Sequence, residues 1–206
     1  LPGSRKGEVK RVFPIMVKTA EWLSERYPNL RFIVPLPSAE LVNLASTVLS
    51  NTASRGTGPK PNIEIMQVQD MKYWMQKASC GIAASGTVTM EAAILRLPLV
   101  VIYRLHPVTY ILGRLLVKVP YITIVNLVAG KMVFEEFLQR AARPERIGPA
   151  LEALFRGGTR REEVERDLET VVEKLGGRRN VSENVARIVL EEAQSGATED
   201  ATSNGR

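Results

Sequence analysis

The sequence predicts a doubly wound α/β domain built on a parallel sheet, and three observations predict it. Short apolar segments alternate with helical ones in the order strand, helix, strand, helix, a spacing that demands parallel pairing through right-handed crossovers. Two small-residue turns, Gly3-Ser4-Arg5 and Ser85-Gly86-Thr87, each follow a strand-like segment and open a helix-like one. Finally, 206 residues of which 45% are apolar suffice for one substantial core,.

Leu1 and Pro2 read as a strand end running into the first turn, as if the chain began inside a larger protein. Val9, Val12, Phe13, Met16, Ala20 and Leu23 then recur at a helical period, which predicts a helix over residues 8–27 with Pro14 kinking its first turn,. A compact strand at 31–36, a helix at 40–50 and a polar loop at 51–62 follow,. Next come a strand at 63–67, a helix at 70–77, a small-residue strand at 78–84, a helix at 87–96 and a strand at 97–103. Beyond an apolar stretch at 107–117, the pattern predicts a short strand at 121–124 and helices at 133–141, 144–155, 159–174 and 184–194. One domain therefore spans residues 1–194, and 195–206 form a small polar tail expected to be disordered,.

Composition narrows the function classes. No segment approaches the roughly 18 continuous apolar residues of a membrane-spanning helix, and no charged-then-apolar leader opens the chain. With one histidine and one cysteine, no His/Cys metal cluster and no serine or cysteine triad is expected, and Cys80 reads as a small buried thiol,. A net charge of +6 favours an anionic partner,. Nucleic acid is not expected, because the 6% aromatic residues are not interleaved with the basic ones,.

The remaining candidates lie on the rim formed by the carboxyl ends of the strands, where doubly wound sheets bind ligands. Unpaired N–H groups after Ser85, Gly86 and Thr87 suit a phosphate, and Glu91, one turn further along, suits a sugar's hydroxyls,. The same residues also suit a merely capped helix with a solvated Glu91. Gly3, Ser4 and Arg5 offer a second anion site or a simple turn, with Arg5 able to grip a phosphate in bidentate fashion,. Tyr103, Arg104 and His106 emerge at the rim, His106 as an acid-base group or a structural one,. Asn126, ahead of the helix expected to carry Glu135 and Glu136, either binds a nucleotide or turns the chain,. Residues 110–118, apolar with Arg114 and Lys118, fit a membrane-surface helix or a core helix with snorkelling cations,.

An ordered series of motifs resembles the lipid-A-disaccharide synthase family of bacterial glycosyltransferases. It comprises Leu1-Pro2-Gly3-Ser4-Arg5 with Glu8-Val9, Ala84-Ser85-Gly86-Thr87 with Glu91, Tyr103-Arg104 with Pro107 and Thr109, Leu116-Val117-Lys118, and Asn126-Leu127 with Ala129-Gly130. The resemblance covers residues 1–139 well and implies the C-terminal, Rossmann-like half of a GT-B fold. It further implies transfer of 2,3-diacylglucosamine from UDP-2,3-diacylglucosamine to 2,3-diacylglucosamine 1-phosphate, without metal or cofactor, by a peripheral enzyme at the cytoplasmic face of the inner membrane. A homodimer is allowed for. By position, Gly3, Ser4, Arg5, Ser85, Gly86, Thr87, Glu91, Tyr103, Arg104 and Asn126 are the implied UDP-side residues. The general base is implied to lie in an N-terminal acceptor domain outside this chain. One local departure is Val125, where the family pattern implies a proline. Two readings compete with this one: another GT-B enzyme acting on a UDP-sugar, whether transferase or epimerase, and a non-catalytic nucleotide-binding module.

Overall fold

The computed structural model describes residues 1–53, 60–84, 86–104 and 120–175, together with 186, 187 and 190, which are helical. Two contact units divide the chain, residues 1–171 and 172–206, and every strand belongs to the first. The second begins within the last turn of a helix and holds the helical residues 186, 187 and 190. The tail expected at 195–206 and most of the helix expected at 184–194 lie outside the described residues.

Helix α1 (Lys6–Ser24) forms because Val9, Val12, Phe13, Met16, Ala20 and Leu23 repeat every three or four residues, and all six are buried,. It starts earlier than its periodicity suggests, so Pro14 falls in its interior instead of its first turn. Strand β1 (Arg31–Leu36), helix α2 (Ala39–Ala53) and strand β2 (Asn62–Gln67) make a crossover unit, β1 and β2 pairing in parallel from Arg31 with Asn62 to Leu36 with Gln67. Asp70 caps α3 (Met71–Lys77) by accepting from the Lys72 and Tyr73 N–H groups,.

A second parallel sheet has the order β3 (Gly81–Ala84), β4 (Leu99–Tyr103), β5 (Glu135–Leu138). Between β3 and β4 lies α4 (Val88–Ile94), which stops where Arg96 takes the left-handed conformation at φ 56° and Leu97 N–H reaches back to the Ala92 carbonyl,. Leu99, Val100, Val101 and Ile102 are all buried, the continuous apolar run expected of a strand covered on both faces,. Leu1 adds a rung on the other side of β3: its nitrogen donates to the Ile82 carbonyl at 2.8 Å, and its carbonyl accepts from Ala84 N–H at 2.9 Å. That is the parallel pattern.

Two expected elements are exchanged. Residues 121–124 form no strand, because Thr123 N-caps a short helix, α5 (Ile124–Ala129), which ends at Gly130 in the left-handed conformation. Residues 133–141 form no helix but β5 and a short 3-10 turn (Gln139–Ala141), Gln139 breaking off at φ 49°. Val133, Phe134 and Phe137 are spaced as on a helix, yet they bury around a strand that pairs with β4. Helices α6 (Pro144–Phe155) and α7 (Thr159–Lys174) lie where their periodicity places them. Helix α1 packs against α2 and α6.

Candidate functional site

Parallel pairing decides what meets at the rim. Because Leu1 runs parallel to β3, the turn Gly3-Ser4-Arg5 leaves the sheet beside Gly86 and Thr87, and β4 delivers Tyr103 and Arg104 one strand further on. Arg5, Gly86, Thr87 and Arg104 are exposed, and Tyr103 is half-buried. Ser85, His106 and residues 110–118 lie outside the described residues.

Three carboxylates stand near chain turns, and the protein uses them differently. Glu8 folds back over the first turn, accepting from the Ser4 N–H at 3.2 Å and the Arg5 N–H at 3.4 Å while pairing with the Arg5 guanidinium at 3.3 Å. This half of a capping box leaves those two N–H groups already satisfied, so the first turn offers the Arg5 guanidinium, 83% exposed, more than its backbone,. Gly3, at φ 102°, lies so close to the Glu8 side chain that an added Cβ would collide with it,.

The second carboxylate, Glu136, gathers the start of α5. It accepts from Ile122 N–H, from both the N–H and the hydroxyl of Thr123, and from the Asn126 amide at 2.8 Å.

The third, Glu91, is half-buried on α4, and its carboxylate has no hydrogen bond or ion pair with any partner among the described residues. Beside it the turn is held without Thr87's side chain, which makes no cap bond. Instead, Thr89's hydroxyl donates to the Gly86 carbonyl at 2.8 Å. Thr87 therefore gives α4 no side-chain cap, while Ser85, the other cap candidate, lies outside the described residues.

Asn126 has a different task from the one its sequence context implies. It is fully buried inside α5, its Oδ1 accepts from Val133 and Phe134 N–H, and its Nδ2 donates to the Phe134 carbonyl and to Glu136. An amide has two donors and two acceptor lone pairs, so this side chain has nothing left for a nucleotide. Its partners also precede or begin β5, the opposite end of that strand from the rim. The sequence did carry a signal: Thr123, three residues before Asn126, and Gly130 are the cap residues of a short helix,. Glu136 was expected only as a residue of a helix, and its role was not legible because its partners are assembled only by the fold.

Cys80 faces a cavity away from the rim, and burial pushes its thiol up to about 12, so the neutral form is held at physiological pH,. Among the described residues no group of three or more His, Cys, Asp or Glu side chains converges as metal ligands, and no helix is long and apolar enough to cross a membrane.

The chain as a whole has relatives among known proteins. The family model described as lipid-A-disaccharide synthetase matches residues 1–190. The chain is 38% identical over 191 residues to the lipid-A-disaccharide synthase of Geobacter metallireducens, covering 92% of this chain and 47% of that protein. It is 38% identical over 162 residues to that of Acinetobacter baylyi (77% and 41%) and 34% identical over 194 residues to that of Coxiella burnetii (91% and 47%). The chain thus spans about half the length of the curated relatives it matches. A parallel α/β sheet and a match running almost from end to end agree: the chain belongs to the lipid-A-disaccharide synthetase family.

Proposed function

We propose that this chain is the donor-binding half of a glycosyltransferase. The enzyme moves 2,3-diacylglucosamine from UDP-2,3-diacylglucosamine to 2,3-diacylglucosamine 1-phosphate, releasing UDP and lipid A disaccharide 1-phosphate. The observation that carries the reading is the contrast among the three carboxylates: Glu8 and Glu136 are spent on the protein's own N–H groups, and Glu91 is not. In an inverting displacement the acceptor hydroxyl attacks the anomeric carbon, the bond to UDP breaks, and negative charge grows on the departing diphosphate. Arg5, Arg104 and the turn Ser85-Gly86-Thr87 supply positive potential and donors for that charge, with Gly3, Ser4 and Tyr103 shaping the rim. Glu91 accepts hydrogen bonds from the ribose hydroxyls. Asn126 takes no direct part, since its amide is saturated within the protein. The base that removes the acceptor's proton belongs to a domain preceding this one in the full-length enzyme. That enzyme works as a peripheral protein at the cytoplasmic face of the inner membrane, a reading supported by the net charge of +6,.

Titration calorimetry with UDP tests the assignment. Glu91→Gln removes a charged acceptor and is expected to weaken UDP binding by about 1 to 3 kcal/mol while leaving urea stability unchanged. Equal affinity of the variant and the parent would remove Glu91 from the site.

A further inference from the structure

The net charge of +6 is not spread evenly along the chain. Residues 9–20 of α1, with residues 139–146 between the end of β5 and the first turn of α6, hold six cations against one acid, Glu145. The cations are Lys10, Arg11, Lys18, Arg140, Arg143 and Arg146, so two short segments carry an excess of five positive charges. All six side chains are exposed, and among the described residues none makes a hydrogen bond or ion pair. The cations around α7 are used otherwise: Arg96, Lys131, Arg160 and Arg161 each pair with a carboxylate of that helix. The two segments share one flank. Helix α6 runs beside α1 in the same direction, since Gly148 abuts the Trp22 ring and Glu152 accepts from the Tyr27 hydroxyl. Counting back along both helices brings Arg143 and Arg146 level with Lys18.

An extended row of unpaired cations suits some partners and not others. Lys10 and Lys18 stand about 12 Å apart along α1, so they do not converge on a compact anion such as a free phosphate. Phe13, the aromatic residue of the two segments, is buried, so no ring is offered for base stacking,. The segments expose no large apolar side chain of the kind that anchors a protein partner,. A bilayer bearing anionic headgroups spreads its charge over a plane and attracts exposed cations without a ring or an anchor. The flank also begins at the rim. Arg5 and Lys6 open α1, and Arg140 follows β5, whose Leu138 pairs with Tyr103. We propose that the flank formed by α1 and the start of α6 is the face this domain lays against an anionic lipid bilayer, with the rim brought to the headgroups. The proposal rests on the donor-site reading above, in which the sugar nucleotide carries acyl chains held in a bilayer, and it gives that reading a membrane face.

Sedimentation of the whole chain with phosphatidylethanolamine vesicles, with and without phosphatidylglycerol, tests this. Binding is expected only where phosphatidylglycerol is present, and it is expected to weaken steeply as salt is raised. The triple variant Lys10→Gln, Arg11→Gln, Lys18→Gln is expected to weaken it by about tenfold or more. A second triple, Lys60→Gln, Lys72→Gln, Arg166→Gln, removes as many exposed and unpaired charges elsewhere and is expected to bind like the parent. Equal losses in the two triples overturn the proposal, since net charge and not this flank would then govern. So does a parent chain that ignores phosphatidylglycerol, or one that binds a DNA duplex more tightly at the same salt. Should the first triple lose thermal stability, Arg140→Gln with Arg143→Gln and Arg146→Gln is judged by the same readings. Calorimetry with UDP keeps the two readings apart: UDP binding without vesicle binding removes the membrane face alone, and vesicle binding without UDP binding removes the donor site.

Discussion

At the scale of single residues, a carboxylate's role is set by how many donors the fold has already aimed at it. Glu136 serves four donors from Ile122, Thr123 and Asn126, so Glu136→Ala leaves them unsatisfied in a half-buried place and is expected to lower stability by about 2 to 4 kcal/mol in urea unfolding,. Glu136→Gln keeps one acceptor oxygen and is expected to lose less. The turns at Gly3-Ser4-Arg5 and Gly86-Thr87, each opening a helix, were legible because they depend on local order alone, a strand followed by a turn and a helix. Asn126 was not, because its saturation depends on Phe134 and Glu136, which reach it only once β5 has paired with β4. The cluster of Tyr27, Glu152 and Arg156 was hidden for the same reason, its members standing 125 residues or more apart except within α6's own last turn. There the Tyr27 hydroxyl donates to Glu152 and so holds that carboxyl below its ordinary range.

At the scale of elements, length decides what a sequence reveals. Helices α1, α6 and α7 run for three turns or more, so their apolar stripes repeat enough to fix a period,. Helix α5 has six residues and β5 has four, too few for a period to emerge, and both were exchanged with the opposite type. Element packing also reverses a simple propensity rule. Gly148 sits inside α6, where alanine ordinarily gains about 1 kcal/mol,. Here an added Cβ meets the Trp22 ring, with Cδ2 at 2.9 Å and two other ring carbons closer still. Gly148→Ala is therefore expected to destabilise by about 1 to 3 kcal/mol, and a rise in the thermal midpoint would refute the contact between α1 and α6.

At the scale of the whole molecule, the doubly wound class was read correctly because alternation of strands and helices survives errors in single elements. The rung between Leu1 and β3 was not legible, since only the fold brings these residues together. The rung between Leu1 and β3 joins residues 81 positions apart, whereas β1 with β2 and β3 with β4 each close through one intervening helix. Local closures come early in folding and distant ones late, so the turn bearing Arg5 docks only after the rest of the sheet has formed. On the proposed reading that turn is the last part of the diphosphate site to form, so UDP binding is expected to appear only once folding has finished.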